Sequence, residues 1–160
     1  MQPRHGETAP GETRLMKVFF DTSVLVASVL ADHDCHARAF AVLERVHGGQ
    51  DEGVVAGHSL VELYAVLTRL PPPFRHSPAQ ALLSIETNVV SHFQISSLTG
   101  REYAALLKEL VLAGISGGTV YDAVLLKAAA KTAVDRIYTF NVKHFQEVSP
   151  ENLLPIIASP

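Results

Sequence analysis

Asp21, Glu62 and Asp122 stand where apolar elements begin or end, and carboxylates in such places can do chemistry. Asp21 closes the run Val18-Phe19-Phe20, Glu62 lies in Ser59-Leu60-Val61-Glu62-Leu63-Tyr64, and Asp122 lies in Thr119-Val120-Tyr121-Asp122-Ala123-Val124-Leu125-Leu126. Burying a charge is costly unless something compensates it. Acids gathered from distant elements repel one another, and a hard divalent cation is the usual compensation. The chemistry indicated is Mg²⁺- or Mn²⁺-assisted reaction at phosphate. Each acid also has a purely structural reading. Ser59-x-x-Glu62 and Thr119-x-x-Asp122 have capping-box spacing, and Asp21 can cap the following helix directly. Acids in a first turn complement the helix dipole by about 0.3–1 kcal/mol each. Thr99-x-x-Glu102 has the same spacing with less apolar flanks, and is expected to be a cap alone. The order strand–Asp, helix–Glu, helix–Asp, strand–Asn141 is what the separate structural readings do not explain.

The elements that must position these residues follow from apolar patterning. Lys17 to Phe20 reads as a short buried strand, and Thr22-Ser23 starts a helix over Val24–Leu30. Ala37, Phe40 and Ala41 give helical spacing from His36 to Val46, stopped by Gly48-Gly49. Val54–Ala56 reads as a second strand. The helix from Ser59 to Leu70 ends at Pro71-Pro72-Pro73. Ser77-Pro78 is a cap and first-turn proline for a helix over 78–88. His92–Ile95 reads as a third strand, Thr99–Leu112 and Thr119–Val134 as helices, Arg136–Phe140 as a fourth strand and Leu154–Ile157 as a fifth. Strands alternating with helices predict an α/β domain with a mainly parallel sheet. In such sheets the active site lies beyond the C-terminal strand ends, where Asp21 and Asn141 fall.

The chain has 160 residues, which suits one domain, here expected over 16–160. Residues 1–15 are rich in Gly, Pro, Thr and charge, and are expected to form a flexible extension, with Met16 as an alternative functional start. Apolar residues make up 48%, enough for a substantial core, while charged residues are only 18%, which leans towards oligomerisation or a bound partner. The net charge of −3 excludes a broad basic nucleic-acid footprint but leaves room for a local basic path. Cys35, the single cysteine, excludes an internal disulfide and permits a cytoplasmic setting. No apolar run approaches the roughly 20 residues that span a bilayer.

Four short segments together resemble the PIN-domain nucleases, and most closely the VapC-type toxin ribonucleases. They are Val18-Phe19-Phe20-Asp21-Thr22-Ser23-Val24-Leu25, Ser59-Leu60-Val61-Glu62-Leu63, Tyr121-Asp122-Ala123, and Thr139-Phe140-Asn141-Val142-Lys143-His144-Phe145. The resemblance spans residues 16–158. It implies a PIN-like α/β/α sandwich and Mg²⁺- or Mn²⁺-dependent cleavage of RNA to 5′-phosphate and 3′-hydroxyl ends. It also implies an antitoxin partner and a homodimer, for which surplus apolar surface on helices 24–30, 36–46 and 59–70 offers a face. Asp21, Glu62 and Asp122 occupy metal-binding positions of the family. Asn141 stands where a fourth acid is common. Its carbonyl can still bind Mg²⁺ or hold a water, but the site has one charge fewer and a second metal would bind more weakly. Under this reading Asp21 and Asp122 hold the metal and Glu62 orients or deprotonates the attacking water. Thr22, Ser23, Thr139 and Lys143 are candidate substrate contacts, with helix capping the alternative for Thr22 and Ser23.

Other features carry weaker signals. His33-x-x-His36, with Asp32, Asp34 and Cys35, is the densest metal-like cluster, yet no second Cys/His pair has structural-zinc spacing, and a helix connection is the simpler reading. His58 and His144 flank the candidate site. Lys17, Lys127, Lys131, Arg136 and Lys143 are candidate phosphate contacts or plain solvated charges. Gly117-Gly118 lacks the Lys-Ser/Thr of a phosphate loop, which leaves helix entry. Two other functions compete: a degenerate PIN module that binds RNA or protein without cutting, supported by Asn141, and an α/β enzyme with Asp21 as nucleophile. The latter lacks an acid two residues on, since position 23 is Ser, and leaves Glu62 without a role.

Overall fold

Val18, Phe19 and Phe20 are all fully buried, so the strand that carries them must be covered on both faces. The computed structural model describes residues 14–160, so the extension expected at the N-terminus lies outside the described residues up to residue 13. The first strand, β1 (Met16–Phe20), is the centre of a five-stranded, all-parallel sheet of order β3-β2-β1-β4-β5. The others are β2 (Asp51–Ala56), β3 (Phe93–Ser96), β4 (Arg136–Tyr138) and β5 (Ile157–Ala158). Seven α-helices flank them: α1 (Thr22–Val29), α2 (His36–His47), α3 (Gly57–Arg69), α4 (Pro78–Ile85), α5 (Gly100–Ala113), α6 (Thr119–Ala130) and α7 (Val142–Val148).

Side chains alternate across the sheet and feed two cores. Val18, Phe20 and Val55 face a layer made by α1–α4, with Leu25, Leu43, Leu63 and Leu67 fully buried in it. Phe19, Val54 and Ile137 face α5–α7, with Leu125, Leu126 and Phe145. The result is the α/β/α sandwich with a mainly parallel sheet that the patterning and the resemblance imply. Among the described residues, no helix is long and apolar enough to cross a membrane.

Most elements fall where periodicity and punctuation put them, and the differences have local causes. Strand β2 begins at Asp51, three residues before its apolar run, because Met16–Val18 of β1 pair with Asp51–Gly53. The bidentate contact of Arg45 with buried Asp51 (2.7 and 3.0 Å) makes the acid tolerable there. Helix α6 stops at Ala130, not Val134, since Ala133 takes a positive φ of 50° and turns the chain into β4. Strand β4 ends at Tyr138, short of Phe140. The segment after Asn141, to which the patterning gives no element, is α7, and the segment 154–156 is a 3₁₀ turn ahead of β5. The helix over 78–88 is α4 followed by a π-helical turn, Glu86–Val90.

Gly53 shows how tightly β2 is seated. A Cβ there would lie 2.5 Å from the Phe93 ring and 2.7 Å from Val46. Phe93 is itself packed edge-on against Phe20, with ring centroids 5.1 Å apart. Gly53→Ala is therefore expected to destabilise the fold by about 1–3 kcal/mol, read as a lower denaturation midpoint at unchanged slope; an unchanged midpoint would show that this packing yields freely.

Candidate active site

Three strand ends and one helix start converge on a single cleft. Parallel register aligns Phe20 with both Val55 and Tyr138, so the residues that follow β1, β2 and β4 emerge side by side. The Asp21 amide continues the ladder by donating to the Tyr138 carbonyl (2.9 Å), which sets Asp21 against Thr139. Chain order reverses between β1 and β4, and this switch point is where parallel sheets open a crevice. Helix α3 leaves β2 and carries Glu62 into it. Helix α6 runs towards the start of β4, so its first turn, with Asp122, lies at the same end of the sheet. The cleft is lined by Asp21, Thr22, Ser23, Glu62, Ala65, Val66, Arg69, Tyr121, Asp122, Leu125 and Asn141 and has a volume of about 380 Å³.

None of the three acids serves as a helix cap. Asp21 occupies the N-cap position of α1 but makes no capping hydrogen bond. Helix α3 starts at Gly57, which puts Ser59 inside it and Glu62 beyond its first turn. Helix α6 has Gly118 at its N-cap, and the Thr119 hydroxyl donates instead to the Ser116 carbonyl (3.0 Å). By contrast Thr99 and Glu102 form both bonds of a capping box on α5, as Ser77 and Gln80 do on α4. The spacing is shared, but the Ser59 and Thr119 motifs do not use it to cap.

The carboxylates are framed by hydroxyls. Ser23 Oγ and Thr139 Oγ1 both donate to Asp21 Oδ2, at 2.7 and 2.9 Å. Ser23 also accepts from the Phe140 amide (3.2 Å), and Thr139 from the Asn141 amide (2.9 Å). Thr22 Oγ1 donates to Glu62 Oε2 (2.6 Å) and is hydrogen bonded to buried Ser59 Oγ (2.8 Å). His58 Nε2 lies 3.5 Å from Glu62 Oε1 without a hydrogen bond, and its ring stacks on Tyr121 at 5.5 Å between centroids and 5° between planes. Burial pushes the Asp21 carboxyl above its ordinary pKa, opposed by the Ser23 and Thr139 hydrogen bonds. Asp122 is pushed up to about 6, first by burial and then by the charge of Asp21; Glu62 adds to this and His144 opposes it.

This placement sorts the anticipated contacts. Thr22 and Ser23 line the cleft, but their hydroxyls hold Glu62 and Asp21. Thr139, anticipated to offer its hydroxyl to substrate, is fully buried and committed on both sides. Asn141 is exposed on the rim, while Lys143 lies exposed on α7, outside the lining residues. Lys127 and Lys131 reach Glu109 and Glu102 of α5 and thus join two helices. Lys17 and Arg136 sit towards the opposite end of the sheet. Arg69, at the last turn of α3, is the one cation among the described lining residues, and it stands seven residues after Glu62, on a stretch of helix that no motif in the sequence singles out. His33 and His36 form the α1–α2 connection, where their ring Nδ1 atoms meet the Cys35 amide and the Ala27 carbonyl.

Hard oxygen donors on three acids and an amide suit Mg²⁺ or Mn²⁺ in kind, and the burial and neighbouring charge that raise Asp122 are what a cation would offset. As placed, no three His, Cys, Asp or Glu side chains among the described residues stand close enough to hold one ion. Glu62, drawn aside by Thr22 and His58, would have to turn or act through water.

A carboxyl that ionises later in the folded chain than in the unfolded one makes the folded state bind more protons between the two pKa values. The contribution of Asp122 to stability therefore falls as pH rises from 3.8 to about 6 and is constant above. Asp122→Asn should raise the stability of the metal-free protein near neutral pH by about 1 kcal/mol, a figure reduced for solvent screening of a half-buried group. The gain should vanish near pH 4 in paired thermal melts; an equal gain at both pH values would deny that Asp122 is raised.

A PIN domain family model matches residues 18–149. Ribonuclease VapC40 of Mycobacterium tuberculosis is 35% identical over 124 residues, covering 77% of this chain and 85% of the relative. Ribonuclease VapC27 of the same species is 33% identical over 111 residues, covering 69% and 75%. Two solved structures share the fold. Mycobacterium tuberculosis VapC20, a sarcin–ricin loop cleaving toxin, aligns with a TM-score of 0.60 at 18% identity, over 79% of this chain and 92% of that one. VapBC2 from Rickettsia felis, bound to a DNA fragment from their promoter, aligns with a TM-score of 0.61 at 20% identity, over 90% and 98%. With the family model covering most of its length and the two ribonucleases this similar, the chain belongs to the PIN-domain family, among its VapC-type ribonucleases.

Proposed function

We propose that this protein is a Mg²⁺- or Mn²⁺-dependent endoribonuclease and the toxin of a VapBC-type toxin–antitoxin pair. The observation that carries the reading is the gathering of Asp21, Glu62 and Asp122 into one cleft, none of them used as a cap, with Asp122 raised by burial and then by the charge of Asp21. Asp21, Asp122 and Glu62 would hold the metal, with the Asn141 carbonyl as a neutral fourth donor. When bound, the ion supplies Lewis acidity, which makes water more acidic and offsets charge developing on phosphate. Ser23 and Thr139 fix one oxygen of Asp21 and leave the other for the site. Thr22 fixes Glu62 Oε2, so that Oε1 is the atom available to orient water and take its proton. The water oxygen bonds to phosphorus while the P–O3′ bond breaks, and the 3′-oxygen takes up a proton, leaving 5′-phosphate and 3′-hydroxyl ends.

The substrate class is single-stranded or structured RNA; VapC20, which shares the fold, is a sarcin–ricin loop cleaving toxin. The antitoxin and a cytoplasmic setting come with the family reading. A homodimer is supported by Tyr103, Leu107 and Val111, exposed four residues apart on α5, beside Leu112 at 89% exposure. The helices that the sequence favoured also offer apolar surface, Phe40 on α2 and Val61 and Tyr64 on α3, whereas the side chains of α1 are mostly covered. Leu107→Glu with Val111→Glu should convert a dimer into a monomer in sedimentation velocity; an unchanged dimer would move the interface elsewhere.

Purified protein should cut a mixed single-stranded RNA pool with Mn²⁺ and not with EDTA, and Asp122→Asn should lose about 10²–10³-fold. Mn²⁺ should also raise the melting temperature of the wild type far more than that of the variant. Neither cutting nor a Mn²⁺ shift in the wild type would favour the alternative, a degenerate module that binds RNA or protein, with Asn141 as the cause. Full activity of Asp122→Asn would sink the assignment of that residue.

A further inference from the structure

Tyr121 directly precedes Asp122 yet contributes little to the core. Its side chain is 56% exposed while lining the acid cleft. Its ring is held by the parallel stack on His58, a residue of α3, so a solvent-facing aromatic plane is fixed between two helices rather than left to rotate. His58 has no hydrogen bond at its buried Nε2, so this ring is spent on packing and on Glu62. Arg69 lines the same cleft and, among the described residues, makes no ion pair or side-chain hydrogen bond although acids share the cleft with it. An open aromatic plane at one end of the α3 side of the cleft and an uncommitted guanidinium at the other are the combination that holds single-stranded nucleic acid, one group taking a base and the other a phosphate.

We infer that Tyr121 and Arg69 form a subsite for a short unpaired stretch of RNA, with one base stacked on the free part of the Tyr121 ring and a backbone phosphate on Arg69. The subsite rests on the nuclease reading, which it deepens by requiring an unstacked base next to the cut. It accounts for specificity at the level of RNA structure: a base locked in a duplex cannot reach the ring. It also supplies, from Arg69 alone, a local basic contact that a net charge of −3 leaves open.

The test is fluorescence anisotropy with labelled RNA of about ten nucleotides in mixed sequence, and with an abasic oligomer of equal length. Ca²⁺ replaces Mg²⁺ so that the acids are compensated during binding. Tyr121→Ala should weaken binding of the mixed RNA about tenfold, with Tyr121→Phe within twofold of wild type, and neither should alter binding of the abasic oligomer. Arg69→Ala should weaken both oligomers and lower the salt slope by about one. The Mn²⁺-induced rise in melting temperature should be the same in wild type and Tyr121→Ala, which checks that the acids stay in place.

Unchanged affinity in Tyr121→Ala would overturn the subsite, as would equal weakening of both oligomers or no binding of mixed RNA by the wild type. Dissociation of a dimer in Tyr121→Ala at unchanged RNA affinity would assign the ring to a protein contact and overturn it too. Absence of Mn²⁺-dependent cutting alongside the expected binding pattern would sink the nuclease reading and leave the subsite standing.

Discussion

Strand β1 is hydrogen bonded on both sides to parallel partners, and its register decides what meets at its end. Because Phe20 aligns with Val55 and with Tyr138, the chain leaving β1 finds α3 on one flank and Thr139 on the other. A slip of one residue on either side would turn every side chain of the slipped strand to the other face and send Phe19 and Phe20 to the wrong layers. Burial of these phenylalanines on opposite faces therefore guards the arrangement of the acids, although neither ring touches substrate. The core and the site are specified by the same pairing.

Holding like charges in one cleft has to be made tolerable before any ion arrives. The chain does this unevenly. Asp21 is deepest and receives two hydroxyls, each of which is fixed by a backbone amide of the β4–α7 segment. Glu62, more exposed, receives one hydroxyl and the neighbourhood of His58. Asp122 has no such frame, and burial together with the charge of Asp21 raises its pKa unopposed by any hydroxyl. Three short hydroxyl side chains, Thr22, Ser23 and Thr139, thus serve the carboxylates and not the helix ends.

The sheet, the two helical layers and the gathering of the acids could be read from sequence because they follow from apolar period, turn residues and strand–helix alternation. Ser77-Pro78 and Thr99-x-x-Glu102 named their helix starts correctly, since capping is local. Capping spacing misled at Ser59 and Thr119, because packing started α3 two residues earlier and Gly118 took the cap of α6. Helix α7 went unread: Val142 to Val148 has one fully buried residue, Phe145, too short a pattern to show a period. The hydroxyl frames and the role of Arg69 depend on which elements become neighbours in space, and no spacing along the chain encodes that.

Helix α6 is buried almost all round, with Ala123 to Leu126, Ala128 and Ala129 enclosed, whereas α3 buries only Ser59, Leu63 and Leu67 along one stripe. The cleft accordingly has one jaw embedded in the protein and one mounted on its surface. Amides of α6 belong with the slowest-exchanging part of the fold, and those of α3 with a part that opens locally. Any adjustment of the cleft to its contents therefore costs less on the jaw that bears Glu62 than on the helix that bears Asp122.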